Sequence, residues 1–225
     1  MKKPIQCVIS LSGGMDSGTL LSFAQTVYGN VLAVGFSYGS KHNKYELACA
    51  EKLCKENDVE FIQINLEEVG SALSSSLLKS GGDIPEGHYE SENMKSTVVP
   101  GRNMIFASIL AGIAESRKAP FVALGIHSGD HAIYPDCRPE FFRSMAKAIQ
   151  DATDGGVVLE APFLNMDKTD ILKWGLNHKV PYQFTRTCYK DQPLACGKCG
   201  ACQERLEAFR NLNTTDPIMY DGGNQ

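Results

Sequence analysis

Apolar residues along this chain fall into short continuous runs separated by longer amphipathic stretches. Residues 5–11 read Ile-Gln-Cys-Val-Ile-Ser-Leu, which predicts a buried strand. Residues 18–28 carry an amphipathic pattern closed by Gly29-Asn30, which predicts the first helix and its end. Residues 31–36 and 60–65 predict two more strands. Between them a helix over 43–57 has Tyr45, Leu47, Ala48, Ala50, Leu53 and Cys54 on its apolar side. A weak, serine-rich helix is predicted over 67–78. A strongly apolar helix to about residue 116 follows the turn Val98-Val99-Pro100-Gly101-Arg102-Asn103. Residues 120–126 predict a fourth strand and 139–152 a helix with proline in its first turn. A fifth strand is predicted over 157–161, and Asp167 or Thr169 opens a helix to about residue 177. Strands alternating with helices predict an α/β fold, a doubly wound and mostly parallel sheet. Residues 79–97 form a long polar stretch with three glycines. Such a stretch is either a lid over a site or a disordered insert.

The first strand, the first helix and the turn between them make an anion site. That turn is Ser12-Gly13-Gly14-Met15-Asp16-Ser17. Glycines let the backbone turn tightly and approach a ligand. Amides in the first helical turn lack intrahelical partners and point at whatever sits there. No lysine follows, so the Walker A pattern is absent, and the glycines at 13, 14 and 18 do not fit the dinucleotide pattern. The stretch resembles the S-G-G-x-D-S loop of the PP-loop ATP pyrophosphatases, whose fold is adenine nucleotide alpha hydrolase-like. Asp16 is a carboxylate where a phosphate is expected. It makes sense as a metal ligand or as a helix N-cap.

At 225 residues, 43% of them hydrophobic, the chain holds one α/β domain over residues 1–180 with a small C-terminal segment over 181–225. A net charge of -4 and a pI of about 5.7 do not suit a nucleic-acid-binding face. No apolar run suggests a membrane span, and the two N-terminal lysines precede an apolar run too short for a leader. A cytoplasmic protein is expected.

Cysteines change the picture through their placement. Cys188, Cys196, Cys199 and Cys202 lie within fifteen residues, with Gly197 and Gly200 between them. In a reducing compartment such a bunch means metal or catalysis rather than disulfides. Four thiolates suit a closed, structural zinc site, and an iron–sulfur cluster is the rival. Cys202 is expected to begin a last helix over 204–212.

Other candidate chemistry sits at the carboxyl ends of predicted strands, where open α/β sheets bind ligands. Residues 37–42 form a polar loop ending in His42. Residues 127–138 carry two histidines, two aspartates, a tyrosine, a cysteine and an arginine. Arg102 arrives at a helix N-terminus and Lys168 in the first turn of another. Each, taken alone, suits a solvated surface charge.

Four motifs together are more specific. The loop at 12–17, V-P-G-R-N at 99–103, Y-P-D-C-R at 134–138, and T-x-T-C-Y at 185–189 with C-G-x-C-x-x-C-x-x-R at 196–205 resemble the QueC family. The resemblance covers nearly the whole chain. It implies conversion of 7-carboxy-7-deazaguanine, ammonia and ATP to the nitrile through an acyl adenylate and an amide, as a C–N ligase of queuosine or deazapurine biosynthesis. ATP would be bound by Leu11, Ser12, Gly13, Gly14, Met15, Asp16, Ser17, Gly18, Thr19, Leu20, Leu21 and Arg102. Asp16 would hold magnesium, with Arg102 and Lys168 at the reacting phosphate. His42, Asp130, Tyr134, Asp136 and Arg138 would bind the deazaguanine acid. Zinc would sit on the four cysteines, and the protein would be a homodimer.

The chain departs from the family pattern at three places: Ala132-Ile133 before Tyr134, Arg186 in the cysteine motif, and Gly39-Ser40-Lys41 before His42. The ATP loop and the cysteines are untouched. Adenylation of an acid therefore rests on intact motifs, whereas the product could be an amide, including one formed with a protein amine. Two other classes compete. One is a PP-loop tRNA-modifying ATPase, which usually carries a basic face or an extra domain. The other is a non-catalytic zinc-ribbon interaction module.

Overall fold

Strands β1 (Cys7–Ser10), β2 (Val31–Ser37), β3 (Glu60–Asn65), β4 (Phe121–Ala123) and β5 (Val158–Glu160) pair in parallel, in the order β3-β2-β1-β4-β5. The computed structural model describes residues 3–87 and 91–223. Val8 sits in register with Leu32 on one side and Val122 on the other. The helices are α1 (Met15–Tyr28), α2 (Asn43–Glu56), α3 (Glu67–Ser71), α4 (Arg102–Arg117), α5 (Pro139–Ala152), α6 (Lys168–Asn177) and α7 (Gly200–Asn211).

Side chains alternate across a strand, and here both faces are covered. Cys7 and Ile9 pack with Leu20, Leu21, Leu53 and Ile171, from α1, α2 and α6. Val8 packs on the other face with Ala107, Leu110 and Ile149, from α4 and α5. This is why β1 and β2 read as apolar runs rather than as alternating strands.

Several elements differ from the sequence expectation. α1 begins at Met15, inside the glycine loop, with Gly14 as its N-cap; Asp16 is therefore not the cap. β4 ends at Ala123; the Leu124 amide still donates to the Glu160 carbonyl at 3.0 Å, and Leu124, Gly125 and Ile126 line a cavity. The serine-rich helix ends at Ser71 instead of reaching 78. Serine hydroxyls take backbone partners there: Ser71 donates to the Glu68 carbonyl, and Ser75 accepts from the Leu77 amide. Such bonds compete with the helical ladder. α7 starts at Gly200, before Cys202, with Cys199 as its N-cap.

Residues 88–90 of the long polar stretch lie outside the described residues. Its described part is anchored. Glu86 bridges to Cys199, Gly87 donates to the Lys198 carbonyl, and Met94 and Thr97 are buried. Stretch Glu92–Arg117 has the length and composition of a membrane span. It is broken by the Pro100-Gly101 turn, and α4 buries Phe106, Ala107, Leu110, Ala111 and Ala114 in the core.

Arg205 on α7 is the largest fully buried side chain. It forks onto Asp216 at 2.6 and 2.8 Å and donates to Thr185 Oγ1 at 2.7 Å. Tyr220 also donates to Asp216, at 2.7 Å. The fork ties the cysteine segment to the chain ahead of it. Arg205→Ala would leave Asp216 as an uncompensated buried charge. It is expected to cost about 3–5 kcal/mol, measured by denaturant unfolding.

Candidate active site

The site lies at the carboxyl ends of β1 and β4, where the strand order reverses, the position at which open α/β sheets bind ligands. A single cavity of about 180 Å³ runs from the glycine loop along this edge.

At one end the loop is held open by its own hydroxyls. Ser12 Oγ accepts from the Gly14 amide at 3.2 Å and lies 3.1 Å from Ser17 Oγ. Gly13 has φ of 89°, and a Cβ there would stand 2.2 Å from the Glu46 carbonyl oxygen. Its own carbonyl accepts from the Arg186 amide at 2.8 Å. Gly13 is thus pinned between α2 and the cysteine segment. Gly13→Ala meets both a left-handed φ and a backbone clash. We expect a loss of at least about 2 kcal/mol of stability in thermal unfolding.

Next to the loop stands a cluster of charges, with Lys168 and His127 buried and Asp16, Asp130 and Glu204 half-buried. The capping box of Asp167 and Asp170 starts α6 and places Lys168 at its first position. Lys168 Nζ lies 2.5 Å from Glu204 Oε2 of α7 and 3.2 Å from Asp16 Oδ2. His127 Nε2 lies 3.6 Å from Asp16 Oδ2 and 3.5 Å from Asp130 Oδ2. Burial alone would raise the Asp16 carboxyl, but Lys168 and His127 outweigh it and hold it well below the usual carboxylate range. Burial alone would push His127 down; Asp130 and Asp16 instead push it up to about 9. Lys168 is likewise held protonated against burial by Asp16 and Glu204. Asp16 Oδ1 is buried and has no hydrogen-bond partner. An ionised carboxylate with one oxygen uncommitted suits a hard divalent cation shared with a phosphate.

The cavity's other end is aromatic. Phe36, Tyr38, Phe106, Tyr134 and Tyr189 line it, with His42, Glu46 and Arg102. Phe36 and Phe106 stack at 4.0 Å, and the Arg102 guanidinium lies 5.8 Å from the Tyr134 ring centre. Cys137 also lines it. Burial, with Asp130 and Asp136 nearby, pushes its thiol well above its ordinary value. It is therefore a protonated thiol rather than a nucleophile.

A profile of the family described as Queuosine biosynthesis protein QueC matches residues 6–213. The chain belongs to the QueC family. It is 50% identical over 214 residues to 7-cyano-7-deazaguanine synthase 1 of Colwellia psychrerythraea, covering 95% of this chain and 98% of that one. Identity to 7-cyano-7-deazaguanine synthase of Porphyromonas gingivalis is 46% over 222 residues, 99% and 100% of the two chains. Among solved structures, an NMN synthetase from Francisella tularensis shares the fold, with a TM-score of 0.50 and 17% identity. That match covers 93% of this chain and 73% of that chain.

In this QueC-family chain the cavity gathers Leu11, Ser12, Gly14, Asp16, Ser17, His42, Arg102, Asp130, Tyr134 and Lys168, as the sequence expectation has it. It leaves out others. Met15 packs with Leu172, Tyr182 and Phe209; Leu20 and Leu21 belong to the core. Thr19 is buried against the Tyr182 hydroxyl at 2.8 Å, and Gly18 lies under Thr185. The packing of these residues supports the loop from beneath.

Asp136 and Arg138 do not line the cavity either. Asp136 Oδ2 accepts from the Asn103 amide at 2.8 Å and so caps the first turn of α4, beside Arg102. Arg138 is exposed and donates to the His131 carbonyl at 2.8 Å. Both are held by contacts within the loop and with the start of the helix that carries Arg102.

His127, Glu204, Glu46 and Tyr189 are in the site but absent from the expected set. His127 ends the fourth apolar run, and Tyr189 is part of the cysteine motif, so both carried a signal. Glu46 and Glu204 look like ordinary helix-surface acids in the sequence.

The four cysteine sulfurs are buried and lie within 4.8 Å of one another. Amides of Lys190 and Cys196 point at Cys188 Sγ at 3.4 and 3.3 Å; those of Lys198 and Cys199 point at Cys196 Sγ at 3.4 and 3.3 Å. Such donors favour thiolates. Metal–sulfur bonds of about 2.3 Å place tetrahedral sulfurs roughly 3.8 Å apart. The spacing thus fits a single ion and leaves no room for a multi-iron cluster.

Proposed function

We propose that this QueC-family protein is an ATP-dependent C–N ligase that converts 7-carboxy-7-deazaguanine and ammonia to 7-cyano-7-deazaguanine. The observation that carries this reading is the single cavity joining the phosphate loop and its charge cluster to an aromatic, arginine-bearing pocket. One end suits a triphosphate and the other a flat acid.

A carboxylate is a poor electrophile because its leaving group would be oxide. An oxygen of the acid attacks the alpha phosphorus of ATP, and pyrophosphate leaves with its electron pair. Ammonia adds to the acyl adenylate and expels AMP, giving an amide and a proton. The amide oxygen is then adenylated by a second ATP; loss of AMP and a proton leaves the nitrile. Loop amides and the Ser12 and Ser17 hydroxyls donate to the departing pyrophosphate. Lys168 and Arg102 neutralise the charge that builds on the alpha phosphate. Asp16 would hold magnesium through Oδ1; when bound, that ion screens the phosphate charges. The four cysteines would hold zinc in a structural role. The setting is cytoplasmic, the compartment that keeps four clustered thiols available to a metal rather than paired as disulfides.

The sequence departures bear on the product. Lys41 is turned to the Gly81 and Gly82 carbonyls. Arg186 donates to the carbonyls of Lys190, Gln192 and Pro193. Ala132 and Ile133, like these, are not among the cavity's lining residues. None of the three departures lines the cavity, which favours the nitrile over an amide or a protein conjugate. The test is incubation with Mg-ATP, 7-carboxy-7-deazaguanine and ammonia, with products read by mass spectrometry. Nitrile and AMP are expected. Amide alone would transfer the assignment to an amide-forming ligase, and no ATP cleavage would overturn it.

A further inference from the structure

The aromatic end of the cavity holds a carboxyl group that the reaction outlined above does not use. Glu46 stands in the first turn of α2, lines the cavity, and is only 12% exposed. Its direction is fixed by Asn43, which accepts from the Tyr38 amide at 3.0 Å and donates to the Phe36 carbonyl at 2.9 Å. That latch fastens α2 to the end of β2. Glu46 also packs its backbone against Gly13 of the phosphate loop. Its carboxyl oxygen lies 3.4 Å from His42 Nε2. Burial pushes the Glu46 carboxyl up to about 8, and burial with Arg102 pushes His42 down to about 3. His42 is therefore neutral beside it, and Arg102 and Arg186 are the cations whose charges act against the burial of the acid.

A buried carboxyl group without a strong partner is costly unless a ligand supplies donors. The walls say what shape that ligand has: Phe36, Tyr38, Phe106 and Tyr189 present flat faces. A guanine-type base offers two adjacent donors, N1–H and the 2-amino group, which match the two oxygens of a carboxylate. Adenine offers one amino group next to an N1 lone pair, which a carboxylate repels. Arg102, on the same cavity, suits the acid group of such a base. We propose that Glu46 is the specificity-determining residue for the base, accepting from N1–H and the 2-amino group while Arg102 faces the acid. This rests on the functional reading above and goes beyond it by naming the group that distinguishes the acid's base from the base of ATP.

Calorimetric titration tests it with two ligands: 7-carboxy-7-deazaguanine and the same acid with hydrogen in place of the 2-amino group. A non-hydrolysable ATP analogue with magnesium is titrated in parallel. Wild-type protein is expected to prefer the amino-bearing acid by about a hundredfold, and Glu46→Ala to shrink that preference to about threefold. Affinity for the ATP analogue should stay within about twofold of wild type. The near-isosteric Glu46→Gln keeps the test readable if Glu46→Ala does not fold. It presents one acceptor and one donor, and should lose at least about tenfold in affinity for the amino-bearing acid. A full preference retained in the variants overturns the assignment of Glu46 alone. So does a loss that falls on the ATP analogue instead, which would make Glu46 an adenine contact. Wild-type protein that binds neither acid overturns the functional reading as well.

Discussion

Lys168→Ala is expected to abolish AMP formation and to weaken the fold at the same time. The lysine is buried between Asp16 and Glu204, so its loss leaves carboxylates facing one another without their cation. Breaking a buried pair in this way costs about 3–5 kcal/mol, a large part of a typical domain's 5–15 kcal/mol. The catalytic loss is separate. Removing a preorganised charge at a developing anion costs about a hundred- to a thousandfold in rate. A double variant separates the two effects. Lys168→Met with Glu204→Leu removes both charges of the pair and should recover most of the stability in urea unfolding, with no recovery of turnover. Recovery of both would show that Lys168 is only a structural counter-ion.

Removing the metal from the cysteine site is expected to silence the nucleotide site some distance along the chain. A structural zinc ion contributes about 10–16 kcal/mol of apparent binding free energy, as much as the whole stability of an ordinary domain. The stripped segment cannot remain packed on that margin. One of its contacts reaches the phosphate loop directly, the Arg186 amide on the Gly13 carbonyl, and a second reaches it through Lys168, which Glu204 holds and which lies 3.2 Å from Asp16 Oδ2. Chelation under reducing conditions should therefore open the stretch between Cys188 and Cys202 to protease. Affinity for an ATP analogue should fall at least about tenfold, a loss equivalent to about 1.4 kcal/mol. Metal analysis of the untreated protein should give one zinc per chain. Unchanged nucleotide binding after stripping would sever the link between the two sites.

Much of this architecture is written in local patterns. The sheet is legible because β1 and β2 are covered on both faces and so appear as continuous apolar runs. The glycine loop is legible because tight turning needs residues without side chains in a fixed order. The cysteine site is legible because one ion needs four ligands at close spacing. Direction is what local pattern lacks. The polar density of residues 127–138 marks them as important, but only packing shows that Asp136 faces the start of α4, Arg138 faces outward and His127 faces in. Glu46 is hidden for the same reason. On a helical wheel it is one more charged residue, and what aims it into the cavity is Asn43 gripping the end of β2. The serine-rich stretch after Glu67 shows a different gap, since its hydroxyls compete for backbone partners that only the folded chain supplies.

The loop that would grip ATP is complete by Ser17, yet the groups that finish its site come from far along the chain. Lys168 starts α6, Tyr189 lies in the cysteine segment, and Glu204 stands on α7. During synthesis the phosphate loop emerges first, with its lysine, its counter-acid and part of its pocket wall still unmade. A chain cut before Lys168 keeps the glycine turn, Asp16, Arg102 and His127 but lacks the lysine and the Glu204 that complete the charge cluster. With its last contacts so late in the chain, the site is a product of the whole fold rather than of the glycine loop alone.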